Sequence, residues 1–312
     1  MSKIAVVFPG QASQYVGMGK DIYDSNPIVR KLYDIASGEI GEDIAKLSFE
    51  GPVEKLTETR FTQPAILLHS LSVLWLIKDR LPKATLTAGH SLGEYGALSL
   101  AGALSPVDAV KAVVKRASLM EEACRKNPGT MAAIIGLDET RIEEICKEAS
   151  AKGVVVPANF NSANQIVISG AVAGVEEAVR LCKEAGAKRA MMLQVGGAFH
   201  SPLMEPAREG MEKYLASITI EPAQIPVVAN VNARGEGDPK RIKKLLIDQI
   251  TSPVRWQQTM ACFVEQKINT IIEIGPGKVL AGLAKREVPG ASLINLDKLE
   301  DIEKFSSTAV GK

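Results

Sequence analysis

The sequence predicts an α/β protein with a smaller unit set into a larger one, and three observations predict it. Ile4–Phe8 is a β-rich run that stops at Pro9-Gly10. Residues 85–101 read as strand, tight glycine turn and helix, and residues 128–195 alternate in the order βαββαβ.

In chain order, the first run is a buried strand that feeds a loop carrying Gln11. Residues 64–80 have helical length and mixed apolar periodicity, 84–88 are a short extended piece, and 92–101 are again helical and rich in small residues. Residues 106–120 form another helix, with Ser105 placed to cap it and Pro106 at its first position, where a missing N–H loses no bond. The chain turns at Asn127-Pro128-Gly129. Beyond it, residues 131–137, 154–159, 165–169 and 188–195 read as extended, and 139–150 and 175–185 as helical, the pattern of a ferredoxin-like unit. Pro-Gly on one side and Gly196-Gly197 on the other mark residues 128–195 as a small domain inserted between 1–127 and 196–312. The α/β pattern then resumes, with strands at 226–230 and 270–274 and helices at 239–250 and 253–266.

Composition narrows the class. At 312 residues, 46% hydrophobic and 23% charged, with 26 Gly and 16 Pro, the chain is ordinary for a globular protein, which excludes disordered, collagenous and coiled-coil classes. Lys plus Arg number 37 against 36 Asp plus Glu, so the net charge of +1 gives no footprint for nucleic acid or an anionic membrane. Cys124, Cys146, Cys182 and Cys262 are scattered, with no Cys-x-x-Cys pair for zinc or dithiol chemistry, and suit a reducing compartment. The longest apolar segment, residues 66–77, is interrupted by His69, Ser70 and Ser72 and falls short of the roughly 20 residues of a membrane helix. The apolar start is too short for a secretory signal. A soluble cytoplasmic protein is expected, needing neither metal nor redox cofactor.

The chemistry centres on Gly89-His90-Ser91-Leu92-Gly93, a Gly-x-Ser-x-Gly match. The five residues alone say little; the strand before and the helix after them are what a nucleophile elbow requires. A serine needs a base, and the sequence has three histidines. His69 lies in an apolar helical run and reads as a hydrogen-bonded core residue. His90 adjoins the serine, so its ring should point away from the hydroxyl and line the pocket. His200, in the loop Gly196-Gly197-Ala198-Phe199-His200-Ser201, follows a strand and comes after the serine, the order such folds use. It is the expected base. No acid is singled out as its partner: Asp108, Asp138 and Asp248 all remain open.

Arg116 sits on a helical wheel with Ala109 and Ala112, beside the stripe of Val110, Val113 and Ala117 and away from Asp108, Lys111 and Lys115. A guanidinium among small residues needs a partner from elsewhere. A bound carboxylate and a salt bridge to another segment both meet that need.

Taken together, these segments closely resemble the malonyl-CoA:acyl-carrier-protein transacylases of bacterial fatty-acid synthesis and, more broadly, the acyltransferase domains of polyketide synthases. The resemblance spans nearly the whole chain. Its landmarks are Phe8-Pro9-Gly10-Gln11 with Ser13-Gln14, Thr62-Gln63-Pro64-Ala65, Gly89-His90-Ser91-Leu92-Gly93-Glu94-Tyr95, Arg116 before Met120, Ala132-Ala133-Ile134-Ile135-Gly136, Asn159-Phe160-Asn161, Phe199-His200-Ser201, Gln249 with Pro253-Val254, and Glu273-Ile274-Gly275-Pro276-Gly277.

The resemblance implies an α/β-hydrolase-like large subdomain with a ferredoxin-like insert. It implies Ser91 as acylated nucleophile, His200 as general base oriented by the main-chain carbonyl at Gln249, and backbone N–H groups of Gln11 and Leu92 as oxyanion hole. Arg116 matches the arginine that grips the malonyl carboxylate; Gln63, His90 and Phe199 fall at the acyl pocket, and Phe199 resembles malonyl-selective polyketide acyltransferases. The implied reaction is ping-pong transfer of malonyl from malonyl-CoA to the phosphopantetheine thiol of acyl carrier protein by a monomeric enzyme. Lys240, Arg241, Lys243 and Lys244, the densest basic cluster, form either a solvated helix face or a landing site for the acidic carrier. A discrete polyketide-synthase acyltransferase would use the same residues, a serine thioesterase or hydrolase would share Ser91 and His200 without needing an arginine fork, and a scaffold that only binds carrier protein would need none of the three.

Overall fold

The computed structural model describes residues 2–307, so the outermost positions of the large unit, 1 and 308–312, lie outside the described residues. The ten strands are β1 (Ile4–Phe8), β2 (Leu86–Gly89), β3 (Thr130–Ile135), β4 (Val155–Ser162), β5 (Gln165–Gly170), β6 (Arg189–Met192), β7 (Val227–Val228), β8 (Gly235–Glu236), β9 (Thr270–Ile274) and β10 (Ser292–Leu296). They form two sheets in a mixed α/β architecture. One has the order β10-β9-β1-β2-β7-β8 and the other β4-β5-β3-β6.

In the first sheet every neighbouring pair is parallel except β7 with β8. Parallel strands are covered on both faces and therefore read as unbroken apolar runs. The five residues of β1, Ile-Ala-Val-Val-Phe, are all buried. Ile4, Val6 and Phe8 join the larger core with helices Thr59–Ile77 and Pro106–Lys126. Ala5 and Val7 point the other way, against helices Trp256–Glu265 and Val279–Glu287.

The second sheet is antiparallel and packs its own helices, Glu139–Ala149 and Val172–Glu184, on one face only. Period-2 alternation divides β3: Ala132 and Ile134 meet those helices, while Met131 and Ala133 turn toward the larger core. Register shifts between Pro157 and Asn159 and between Phe160 and Ser162 interrupt the β4–β5 ladder. There β4 picks up a second partner. Asn159 forms a parallel bridge with Val254, fastened by Phe160 N–H to Val254 O at 2.9 Å and Val254 N–H to Ala158 O at 2.8 Å.

That bridge corrects the expected helix 253–266: Val254 is held in the bridge, and the helix is Trp256–Glu265. The expected helix 64–80 starts earlier, at Thr59, because Glu58 O already accepts from Thr62 N–H at 2.9 Å; Pro64 lies inside it. The helix begun at Pro106 runs six residues further than expected, to Lys126. Strand 226–230 is cut to Val227–Val228, since Ala229 N–H bonds across a turn to Arg234 O at 3.1 Å and Asn230 leaves the ladder. Helices between residues 20 and 57, helices Glu205–Ala216, Val279–Glu287 and Leu299–Ser307, and edge strand β10 were not anticipated. Among the described residues no helix is long and apolar enough to cross a membrane.

Candidate active site

Phe8 and Gly89 are paired at the carboxyl ends of β1 and β2, so the loops that follow them leave the same edge of the parallel sheet. That edge is where such sheets place their ligands. A cavity of about 320 Å³ opens there between Gly10, Gln11, Ser91 and Leu92 on one side and Met131, Ala133 and Val167 on the other. The bare face of the small sheet is thus its far wall.

Ser91 has φ 52°, a left-handed conformation that a non-glycine residue adopts only under constraint. Two glycines supply that constraint by close approach. A Cβ on Gly89 would lie 1.9 Å from the Gly93 carbonyl carbon, and one on Gly93 would lie 2.2 Å from Phe8 O. Asn230, just past β7, holds the turn: its Oδ1 accepts from Ser91 N–H at 2.7 Å and its Nδ2 donates to Gly89 O at 2.7 Å. Sequence reasoning missed Asn230. Its signal is its position just past β7, the neighbour of β2 in the sheet.

Ser91 Oγ lies 2.9 Å from His200 Nε2, and His200 Nδ1 lies 2.9 Å from Gln249 O. Gln249 ends the helix Pro239–Asp248, where the last carbonyls have no intrahelical donor. That orphan carbonyl accepts from Nδ1–H, which leaves Nε2 as an acceptor facing the serine. Burial first, and then the neighbouring Arg116 charge, push His200 down to about 3, so the ring is neutral. Asp108, Asp138 and Asp248 do other work: Asp108 and Asp138 sit in helix caps and Asp248 pairs with Lys244.

Arg116 is fully buried one side chain behind the cavity wall. Its Nη1 donates to Gln63 Oε1 at 2.5 Å, and its Nη2 to Ser91 Oγ at 2.9 Å and Gln249 Oε1 at 3.0 Å. Nε finds no partner among the described residues, and no carboxylate bonds to the fork. The salt bridge to another segment is therefore not the arrangement found.

Gln63, His90 and Phe199 all line the cavity, as do Gln11 and Leu92, whose N–H groups have no hydrogen-bond partner among the described residues. His90 Nε2 lies 2.9 Å from Asn161 Oδ1, away from the serine hydroxyl, and burial lowers its pKa. His69 is a core residue as expected, with Nε2 2.9 Å from Asp297 Oδ1. The basic cluster is elsewhere and largely engaged: Arg241 pairs with Glu236, Lys244 with Asp248, and Lys243 donates to Ile218 O.

A hydroxyl poised against a neutral imidazole, beside two free backbone donors, can open an ester or thioester and hold the acyl group as a serine ester. Chemistry of that kind at this edge of an α/β fold defines an enzyme that moves acyl groups through a serine ester, to water or to another acceptor. Likeness to known proteins is as direct: residues 5–295 match the family described as "Acyl transferase domain", and the chain belongs to that family. It is 45% identical over 304 residues to the Malonyl CoA-acyl carrier protein transacylase of Bacillus subtilis (strain 168), a match covering 97% of this chain and 96% of that one. Its fold is similar to the solved malonyl CoA-acyl carrier protein transacylase of Coxiella burnetii, with TM-score 0.93, 40% identity and coverage of 99% and 98%. It is also similar to a malonyl-transacylase solved in complex with its type II PKS acyl-carrier protein, with TM-score 0.92, 39% identity and coverage of 98% and 99%.

Proposed function

We propose that this chain transfers a malonyl group from malonyl-CoA to the phosphopantetheine thiol of an acyl carrier protein, supplying extender units for fatty-acid synthesis. One observation carries the reading: the guanidinium of Arg116, with no carboxylate partner, donates to the Oγ of Ser91 at 2.9 Å. In a malonyl–serine ester the free carboxylate stands one methylene from the carbon bonded to that oxygen. It is then within reach of the fork, which exchanges its bonds to Gln63 and Ser91 for a charge-assisted pair.

The steps follow from the geometry. Ser91 Oγ gives its proton to His200 Nε2 and attacks the thioester carbonyl, and the oxyanion is received by the N–H groups of Gln11 and Leu92. Collapse breaks the carbon–sulfur bond, and His200 returns the proton to the departing CoA sulfur. The carrier thiol then gives its proton to His200 and attacks the ester, and collapse restores the Ser91 hydroxyl with that proton. Ser91 and His200 carry both halves, so the reaction as proposed calls for no metal or redox cofactor.

The same reading places the enzyme in the cytoplasm as a monomer and divides the chain into an α/β-hydrolase-like unit, residues 1–127 and 196–312, and a ferredoxin-like unit, 128–195. The antiparallel order β4-β5-β3-β6, reached through a βαββαβ connection, supports the second unit.

Mass spectrometry of the intact protein after brief exposure to malonyl-CoA tests the function. One malonyl adduct is expected, absent in Ser91→Ala and discharged by carrier protein. Steady hydrolysis of malonyl-CoA without an adduct or transfer would make the protein a thioesterase.

A further inference from the structure

Glu94 has no part in the steps above, yet it touches two residues that hold the reacting groups in place. It is 2% exposed, and its Oε2 accepts from Asn230 N–H at 3.0 Å and from Gln249 Nε2 at 2.8 Å. The cation that acts on it is Arg116, whose hydrogen bonds go to Gln63, Ser91 and Gln249 instead.

The amide of Gln249 has two chemically opposite ends. Oε1 accepts from Arg116 Nη2 at 3.0 Å, while Nε2 donates to Glu94 Oε2 and, at 3.1 Å, to Ser91 O. Turned over, the amide would set N–H against guanidinium N–H and oxygen against a carboxylate and a carbonyl. Of the two acceptors that hold Nε2, the carboxylate is the stronger, because a charged partner roughly doubles such a bond. Asn230, the other residue on Glu94, is the one that clamps the Ser91 turn.

We propose that Glu94 is a positioning residue for acyl transfer: its carboxylate sets the Gln249 amide with Oε1 toward Arg116, and so fixes the guanidinium at Ser91. The role rests on the malonyl-transfer reading. It acts through Gln249, since Glu94 itself is not among the residues lining the cavity.

The test compares, at pH 8 where the Glu94 carboxyl is ionised, malonyl and acetyl transfer by the full-length protein and its Glu94→Ala, Glu94→Gln, Gln249→Ala and Glu94→Ala/Gln249→Ala variants, with melting curves for each. Glu94→Ala is expected to lower malonyl kcat/KM about 10- to 100-fold, as loss of a bond to a charged group does, and to lower acetyl transfer less. Glu94→Gln, whose amide oxygen can replace Oε2, is expected to recover most of that loss. The double variant is expected to transfer malonyl no more slowly than Gln249→Ala, because the two residues act in series.

A folded Glu94→Ala protein with the parent's malonyl rate, equal losses of malonyl and acetyl transfer, or losses that multiply in the double variant would each overturn the role. Glu94→Met fills a similar volume and replaces the alanine variant if that does not fold. A parent protein that transfers no malonyl group removes the reading beneath the proposal; a parent that does, with an indifferent Glu94, removes the positioning role alone.

Discussion

Arg116 Nη2 and His200 Nε2 stand equally far, 2.9 Å, from Ser91 Oγ, one as donor to it and the other as acceptor from it. The hydroxyl is thus oriented from two sides before any substrate is bound. The same guanidinium also opposes a proton on the imidazole, so the residue proposed to grip the substrate also sets the state of the base.

Replacing Arg116 with Ala should separate the two substrates. Malonyl transfer should fall about 100-fold or more, the scale of losing a bidentate charge-assisted pair, while acetyl transfer, which offers no carboxylate, falls far less. Competition assays with both CoA thioesters check it, and equal losses would remove Arg116 from substrate recognition.

The pH dependence has a defined direction. With His200 pushed down to about 3, the base stays unprotonated, and serine acylation should show no imidazole titration between pH 6.5 and 5. Arg116→Ala removes the second-largest of the three causes of that depression, after burial. Its residual acetyl transfer should therefore lose rate at a higher pH than the parent's does, measured by rapid quench in overlapping buffers.

Glu94 makes the opposite kind of prediction, in stability. Burial pushes its carboxyl up from 4.5 to about 7. Between those values the folded chain holds a proton that the unfolded chain has released, so this contribution is complete below 4.5 and is lost as pH rises through about 7. Glu94→Gln cannot lose it. The melting temperature of the variant relative to the parent should rise from pH 5 to pH 8, and a constant difference would mean Glu94 does not titrate there.

Asn230→Ala should slow malonyl and acetyl transfer together, by about 10- to 100-fold. It releases the Ser91 N–H and the Gly89 carbonyl, which support the turn whatever the acyl group. A change in the malonyl-to-acetyl ratio would place its effect at Arg116 instead.

The sequence exposes those parts of this site that short-range chemistry dictates. Gly89, Ser91 and Gly93 lie within one turn, His200 was the histidine left in a loop after a strand, and Arg116 stood out because its helix offered it no carboxylate. The Gln249 carbonyl and the N–H groups of Gln11 and Leu92 are main-chain atoms, which any residue type would supply, so only resemblance pointed to them, and the Gln249 side chain meets Arg116 and Glu94 across long stretches of chain. Asn230, Glu94 and Asn161 escaped a functional reading because each meets its partner across long stretches of chain. In the fold, the βαββαβ order was plain from alternating periods. The extended stretch at Val254 was hidden, since what makes it extended is β4, some ninety residues earlier.

That bridge from Asn159 to Val254 lies a few residues beyond Gln249, the carbonyl on which His200 rests. The small sheet and the segment that follows Gln249 are therefore riveted together beside the reacting atoms. Parting them like jaws would shear the rivet and pull the imidazole off its bearing. In the proposed reaction the pantetheine arm is long and flexible, so it can be threaded into the cavity beside that rivet without the rivet being broken.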